Sequence, residues 1–271
     1  KAMRIISSPV NPATVRIYKE GRPVSDKEQS IEEQFMADTT LEQNPTTPFS
    51  EGTPPPVPEK PVAAGTKIIA LSDPELLPDQ TVNFLELIEL RATVRQYSDM
   101  PLTFKELSYL LWCTQGVKMG LPNCGSARNV PSAGARHAFE TYLYIQHVQG
   151  LHPGLYRYLA FEHALLPLTS DEAAGEQFRS AFRAKNMTAN NAVTFVWAAV
   201  LERMTNRFGT RGYRYLFLDA GHVCQNLYLA AQTIKTGVCA IGAFSDDKLN
   251  QALGLDGKQE FAVYAASVGR I

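Results

Sequence analysis

Apolar residues recur at helical spacing in several stretches of the chain from Thr81 onward. The first predicted helix spans residues 82–91. A second begins at the capping box formed by Thr103 and Glu106, whose side chains can satisfy free backbone N–H groups, and it ends at Gly116. Three later helices, each ending at or just before a glycine, are predicted over residues 201–208, 219–236 and 245–254.

Stretches typical of strands lie between these helices. Residues 141–148 and 155–158 are rich in aromatic and β-branched residues, and the turn formers of residues 152–154 separate them, which predicts a hairpin-like pair. Residues 192–200 indicate a buried strand, and residues 261–268 indicate a terminal one. Helices and strands interleave without a regular βαβ repeat, so the sequence predicts an α+β fold rather than a parallel doubly wound sheet.

The first part of the chain has a different composition. Twelve of the 17 prolines precede Thr81, and this part contains few glycines. Helices and central strands are not expected there, because proline lacks the backbone N–H that both need. We therefore divide the chain into a proline-rich extended arm, residues 1–80, and a core domain, residues 81–271. The arm is either a partly disordered extension or a wrap that covers a partner subunit.

Composition excludes several classes of function. A formal net charge of -1 provides no basic field for nucleic acid or anionic membranes. The chain has no apolar run of about 20 residues, and its start lacks the apolar block of a signal peptide, so we expect a cytoplasmic protein. The four cysteines are irregularly spaced, with no pair or nearby histidine at metal-ligand spacing. We expect free thiols and no metal site.

Arginines follow the end of the first predicted helix. If residues 91–95 are extended, Arg91, Thr93 and Arg95 share one side, because side chains alternate along an extended chain. Two guanidinium groups and a hydroxyl would suit a phosphate. Taken alone, a solvated basic helix end explains this segment more simply.

Three further segments could contact a ligand, mostly through backbone groups. The run Pro131, Ser132, Ala133 and Gly134 forms turns and lets N–H groups approach a flat ligand, although an ordinary loop has the same composition. Residues 237–242 have no bulky polar side chain and could offer backbone donors beside an apolar surface, or form a buried strand with glycine ends. Gly269 and Arg270 end the last strand, where the arginine is either another phosphate contact or simply exposed.

The order of these segments resembles the SagB-type branch of the nitroreductase superfamily, over roughly residues 84–270. The similar stretches are Arg91 to Tyr97, Leu110 to Gly116, Pro131 to Glu140 and Gly212 to Leu227, of which the last is the most specific. Departures from the branch pattern are Ala92 and Thr93 in the arginine run and Ala138 in place of a proline. Thr93 retains a hydroxyl.

The resemblance implies a nitroreductase-like three-layer α+β sandwich, with a mixed or antiparallel central sheet flanked by helices. It also implies a homodimer that binds FMN between its subunits. Residues like Arg91, Thr93, Arg95 and Arg270 would hold the phosphate and ribityl chain, residues 131–134 would contact the ring, and Ile241 and Gly242 would lie at the N5 edge. The cofactor-binding residues implied are Arg91, Ala92, Thr93, Arg95, Pro131, Ser132, Ala133, Gly134, Ala240, Ile241, Gly242, Gly269 and Arg270.

Flavin chemistry needs few catalytic side chains, because the cofactor itself accepts hydride at N5. The sequence contains no G-x-G-x-x-G after a strand, so we expect NAD(P)H to bind transiently as electron donor rather than on a Rossmann unit. The predicted reaction is hydride transfer between this donor and a small-molecule electrophile such as a quinone, a nitroaromatic compound or an enone.

One departure concerns the chemistry directly. Members of the branch that oxidise thiazoline and oxazoline rings in peptides carry a Lys-Tyr pair, where this chain has Arg207 and Phe208. Arginine is a poor base and phenylalanine has no phenol, which disfavours azoline oxidation. Arg207 would instead orient an anionic substrate or a quinone carbonyl, or be a structural or exposed arginine. Two alternatives stay open: a peptide azoline dehydrogenase, and a non-catalytic flavin- or peptide-binding partner in a modification complex.

Overall fold

The computed structural model describes residues 29–43, 45–74, 83–122, 125–183 and 190–271. The helices in these ranges are α1 Ile31–Asp38, α2 Phe84–Leu90, α3 Phe104–Gln115, α4 Glu172–Ser180, α5 Leu201–Phe208, α6 Gly212–Thr233 and α7 Asp246–Leu253. The strands are β1 Ile69–Ala70, β2 Val117–Leu121, β3 Gly125–Arg128, β4 Phe139–Ile145, β5 Gly154–Leu159, β6 Ala164–Thr169, β7 Val193–Val200, β8 Thr236–Ile241 and β9 Glu260–Arg270.

Seven strands form one sheet in the order β1-β6-β5-β4-β7-β9-β8, and every neighbouring pair is antiparallel. The predicted hairpin is confirmed as β4 and β5, with Thr141 opposite Tyr158. The strands β2 and β3 form a separate two-stranded sheet. The prediction of an α+β fold is therefore confirmed, with an antiparallel central sheet.

Helices cover both faces of the sheet. On one face Leu107 of α3, Met204 of α5 and Leu227 of α6 are buried in the larger hydrophobic core. On the other face Phe178 of α4 and Leu249 of α7 are buried in a second core. Each sheet face thus buries its apolar side chains under helices, which gives the predicted three-layer sandwich.

The helix α3 follows the prediction closely. The Thr103 side chain accepts the Glu106 N–H and the Glu106 carboxylate accepts the Thr103 N–H, so both halves of the capping box are present. The prediction for α6 was wrong at both ends: the helix begins at Gly212 rather than at residue 219, and ends at Thr233 because Thr236 already belongs to β8. No side chain caps its start, which directly follows the short 3-10 helix Gly209–Arg211. The usual sequence signal for a helix start is therefore missing.

The described part of the arm lies against its own chain. Strand β1 pairs with β6, the Phe49 N–H donates to the Asn206 carbonyl, and the Lys60 N–H donates to the Glu140 carboxylate. The arm also contains a helix, α1, which precedes the proline run and starts at its own capping box. The expectation that helices are absent from the arm was therefore wrong. Residues 1–28 and the arm–core boundary at residues 80 and 81 lie outside the described ranges.

Two expected absences can be compared with the described residues. No helix there has the length and apolar character needed to cross a membrane. Those ranges contain no cluster of three or more His, Cys, Asp or Glu side chains placed to hold a metal ion. Cys113, Cys224 and Cys239 are free thiols, and Cys124 lies outside the described residues.

Candidate functional site

The arginine segment after α2 lies along the outer edge of β8. The Val94 N–H donates to the Val238 carbonyl oxygen at 2.9 Å, and Thr93 forms a parallel bridge with Val238. Residues 91–95 are therefore attached to the edge of the sheet. This agrees with the extended conformation expected from the sequence.

Tyr228 of α6 connects this segment with the end of β8. The Arg91 guanidinium carbon lies 5.4 Å from the centroid of the Tyr228 ring. The Thr93 hydroxyl lies 3.2 Å from the Tyr228 hydroxyl, which also accepts the Ala240 N–H at 3.0 Å. Sequence reasoning missed Tyr228, which directly follows the Gly212–Leu227 stretch and carries no motif of its own.

Two of the three polar residues in this segment share one partner. Arg91 and Thr93 both contact Tyr228, whereas Arg95 approaches the Cys239 thiol, which is buried in the core on the other sheet face. Burial raises the pKa of Cys239, and the positive charge and hydrogen bond of Arg95 oppose that rise. Arg95 thus has a partner that Arg91 and Thr93 do not share, and its place beside them at a phosphate stays a prediction. Ala92 is exposed between them.

Arg270 has partners within the chain. Its guanidinium donates to both carboxylate oxygens of Glu106, at 2.8 and 2.9 Å, and to the Ile234 carbonyl oxygen at 2.9 Å. The preceding Gly269 is buried against Tyr97, since a Cβ there would lie 2.6 Å from the tyrosine Cγ. These contacts give both residues a structural role, and a phosphate contact by Arg270 stays a prediction.

The loop Pro131–Gly134 lies beside α5 and α6. The Ser132 hydroxyl accepts the His137 N–H at 2.9 Å, and the Ala133 N–H donates to Asp219 Oδ1 at 3.2 Å. Gly134 has a φ of 56°, in the left-handed region that favours glycine. A Cβ at this position would lie 2.9 Å from both Arg207 Nε and Phe208 Cζ. The structure thus brings the predicted ring-contacting loop next to the predicted catalytic arginine.

Asp219 is a second residue that sequence reasoning missed. Its carboxyl group is buried, which raises its pKa, while hydrogen bonds from Ser132 and Ala133 oppose the rise. Within the described residues, its Oδ2 atom has no hydrogen-bond partner. Asp219 fixes the loop to α6 from 86 residues away in sequence, a distance at which no sequence spacing could indicate the contact.

Arg207 is half-buried at the C-terminal end of α5. Its guanidinium carbon lies 5.0 Å from the centroid of the Phe49 ring and 5.8 Å from that of Phe208. Within the part of the chain that is described, Arg207 forms no salt bridge. This cation is therefore partly removed from water without a carboxylate to balance it.

The segment predicted for the flavin N5 edge has two parts. Residues 237–241 lie within β8, so the interpretation as a buried strand is confirmed for them, and Ile241 is buried. Gly242 is exposed just beyond the strand, and a Cβ there would meet nothing within 4 Å. A planar ligand can therefore approach this backbone closely.

The two groups of candidate residues lie at different positions along α6. Asp219 holds residues 131–134, whereas Tyr228 contacts Arg91 and Thr93. The nine residues of helix between Asp219 and Tyr228 span about 14 Å. Around this helix, large apolar side chains are exposed on α2 and on the first half of α6. They are Phe84, Leu85, Ile88 and Leu90 of α2 and Phe217 and Leu218 of α6.

Comparisons with known proteins agree with this architecture. The sequence pattern of the Nitroreductase family matches residues 88–270. A protein of Methanocaldococcus jannaschii named as a nitroreductase is 32% identical over 195 residues, which cover 72% of this chain and 94% of that protein. The trifolitoxin-processing protein TfxB of Rhizobium leguminosarum bv. trifolii is 27% identical over 168 residues, which cover 60% of this chain and only 45% of TfxB.

Solved structures described as nitroreductases have a similar fold. One from Anabaena variabilis has a TM-score of 0.57 and 30% identity, covering 68% of this chain but only 37% of that longer chain. One from Ralstonia eutropha has a TM-score of 0.61 and 22% identity, covering 80% and 93% of the two chains. One from Desulfovibrio desulfuricans, in complex with FMN, has a TM-score of 0.50 and 17% identity, covering 70% and 87%.

Proposed function

The chain belongs to the nitroreductase family, and we propose that it is an FMN-dependent oxidoreductase of the SagB-type branch. In this proposal it transfers hydride between a nicotinamide donor and a small electrophile such as a quinone, a nitroaromatic compound or an enone. The observation that carries the proposal is the convergence of Arg91, Thr93 and the end of β8 on Tyr228.

The residues present fit FMN in chemical type. Neither Arg91 nor Arg95 forms a salt bridge with any described residue, so both charges are available to a phosphate. The exposed Gly242, where a Cβ would meet nothing within 4 Å, leaves room for a flat ring close to the backbone. FMN would supply the hydride-accepting N5 atom.

In this proposal each segment has a separate task. Arg91 and Thr93 hold the phosphate and ribityl chain, with Ala92 in the backbone between them. Arg95 would have to leave the Cys239 thiol to join them. Residues 131–134 support the ring, and residues 240–242 offer backbone groups at its N5 edge. Gly269 and Arg270 complete the phosphate end, where Arg270 would have to share its guanidinium with Glu106. Arg207 lies beside Gly134 and orients the electrophile.

A homodimer is part of the same proposal. The phosphate segment and the ring segment of one chain lie about 14 Å apart along α6. Large apolar side chains, including Leu85 and Phe217, are exposed on α2 and α6, the helices next to these segments. A second copy docked on this surface would bury these side chains and would place its own segments beside those of the first chain.

The decisive experiment is the absorption spectrum of the purified protein, before and after denaturation and after mixing with NADH or NADPH. We expect a yellow protein that releases FMN and is bleached by at least one donor. Arg91→Gln should weaken FMN binding by roughly tenfold to a hundredfold, because it loses charge-assisted hydrogen bonds to phosphate. The matched control is Lys248→Gln, which removes an exposed cation on α7. A colourless protein that takes up no FMN would exclude the proposal.

Peptide azoline oxidation is the alternative activity, because the branch that this chain resembles includes enzymes with that activity and because this chain is similar to a trifolitoxin-processing protein. Arg207 and Phe208, which lie beside Gly134, stand in place of the Lys-Tyr pair of those enzymes and disfavour this alternative. On that alternative, the double substitution Arg207→Lys and Phe208→Tyr should raise activity on an azoline peptide. No gain would count against it. A flavin that neither nicotinamide bleaches would instead favour a non-catalytic partner in a modification complex.

A further inference from the structure

We infer that Phe49 of the N-terminal arm is a positioning residue for Arg207, and that the pair makes the site select electrophiles that carry a carboxylate. This inference rests on the proposed function, since it places the substrate beside Gly134 and Arg207. It adds a residue of the arm to a site that the sequence assigned to the core domain alone.

The first observation is the geometry around the guanidinium. Arg207 lies 5.0 Å from the Phe49 ring centroid and 5.8 Å from the Phe208 centroid, both within the range in which a ring attracts a cation. Phe208 is itself fixed by an edge contact with Tyr215, at 4.8 Å between centroids. Since Gly134 leaves no room for a Cβ beside Arg207 Nε, three neighbours restrict the position of this side chain.

The second observation is that α5 holds this part of the arm in place. The Phe49 N–H donates to the Asn206 carbonyl oxygen at 2.8 Å. Asn206 Nδ2 donates to the Pro54 carbonyl at 3.3 Å, and Arg203 Nε donates to the Val57 carbonyl at 2.9 Å. Because Asn206 is the neighbour of Arg207, the helix that carries the arginine also fixes the backbone of Phe49.

The third observation concerns charge. Arg207 is half-buried, and no described carboxylate pairs with it. Aromatic rings compensate a desolvated guanidinium only in part, and its planar fork matches a carboxylate in two parallel hydrogen bonds. A substrate carboxylate would therefore supply the anion that the chain itself does not provide. A neutral substrate of the same shape would leave the cation uncompensated.

The test compares 4-nitrobenzoate with its uncharged methyl ester. Steady-state kinetics give KM and kcat for each compound, and calorimetry gives their binding to the oxidised protein without any donor. The variants are Phe49→Ala, Phe49→Leu and Phe49→Tyr, with Val57→Ala as the control, because the exposed Val57 side chain lies on the same arm and its carbonyl is retained.

We expect the wild type to bind the carboxylate more tightly than the ester. Phe49→Ala and Phe49→Leu should raise KM and Kd for the carboxylate by roughly fivefold, with kcat and the ester values unchanged, because each loses one cation–π contact. Phe49→Tyr should restore the wild-type values, since it keeps an aromatic ring. Val57→Ala should not differ from wild type.

Two results would overturn the inference. One is an unchanged preference for the carboxylate in Phe49→Ala. The other is an equal loss for both compounds that Phe49→Tyr does not restore, which would indicate a purely structural role. Absence of flavin in the wild type would contradict the proposed function instead. In that case calorimetry on the flavin-free protein still decides whether Phe49 and Arg207 bind the carboxylate.

Discussion

Gly134 determines how closely the loop of residues 131–134 approaches Arg207. Its φ of 56° disfavours any side chain, and so does the space around it, since a Cβ would lie only 2.9 Å from Arg207 Nε. We predict that Gly134→Ala lowers the free energy of unfolding by about 1 to 2 kcal/mol, because a left-handed conformation costs that much for a residue with a Cβ. Urea unfolding measures the change.

The control for this substitution is Gly120→Ala in β2, where a Cβ meets nothing within 4 Å and no positive φ is required. Equal stability losses in the two variants would contradict the role given to Gly134. The Gly134 variant should also lower the carboxylate preference of the site, since the added Cβ displaces the Arg207 side chain.

Single residues could be predicted from sequence where a local pattern identified them. The placement of Arg207 directly before Phe208 and Gly209 at the end of α5 follows from such a pattern. Tyr228, Asp219 and Phe49 could not be found in this way. Their contacts with the candidate site join residues separated by 86 to 158 positions, and only the folded chain brings them together.

Among the elements, α3 is stabilised at its start by Glu106, which makes two separate interactions. Glu106 completes the capping box with Thr103 and also forms the ion pair with Arg270 at the end of β9. We predict that Thr103→Ala lowers the free energy of unfolding by about 1 kcal/mol, as expected for a lost N-cap. Glu106→Gln should lower the free energy of unfolding by about 2 kcal/mol, because hydrogen bonds between charged groups contribute more to stability than neutral ones.

Chemical denaturation of the two variants measures this difference. The double variant Glu106→Gln with Arg270→Gln should be less destabilised than the sum of its single variants, since the pair is already broken by either one. If the two single losses of unfolding free energy add up to the loss in the double variant, α3 and β9 are not coupled through this ion pair.

Element boundaries could be predicted where a cap or a glycine marks them, as for α3 and α5. The hairpin of β4 and β5 was predicted, but β4 starts two residues earlier and ends three residues earlier than expected. The start of α6 could not, because its N-cap Arg211 makes no side-chain capping bond. The α+β class followed from the order of helical and strand periods. The order of strands in the sheet depends on pairings between distant segments, such as β7 with β9, which periodicity does not encode.

For the whole molecule, docking of the arm should depend on pH through Glu59. Burial, a hydrogen bond with Glu162 and the nearby Glu140 raise the pKa of Glu59 to about 7, while the Ala160 N–H opposes the rise. Because the pKa is raised in the folded state, protonated Glu59 stabilises the fold. This stabilisation is fully present below the unfolded pKa of 4.5 and is lost as the pH rises through about 7.

We therefore predict that the urea midpoint of the wild type falls between pH 5 and pH 8 relative to that of Glu59→Gln, which cannot ionise. Arg128, whose pKa burial lowers to about 10, stays charged across this window and does not contribute a titration of its own. If the urea midpoints of the two proteins change with pH in parallel, Glu59 does not cause the pH dependence of stability.

Phe217 on α6 is 58% exposed and is one of the large apolar side chains that α2 and α6 present at the surface. If a second copy covers this surface and completes the flavin site, Phe217→Glu should produce a monomer and should lose FMN at the same time, because burying an unpaired carboxylate in an interface is unfavourable. Leu168→Glu is the matched control, since Leu168 is 43% exposed on β6, away from α2 and α6. Light scattering after size exclusion and the flavin absorbance measure both quantities. A Phe217→Glu monomer that keeps its flavin would show that one chain binds FMN alone.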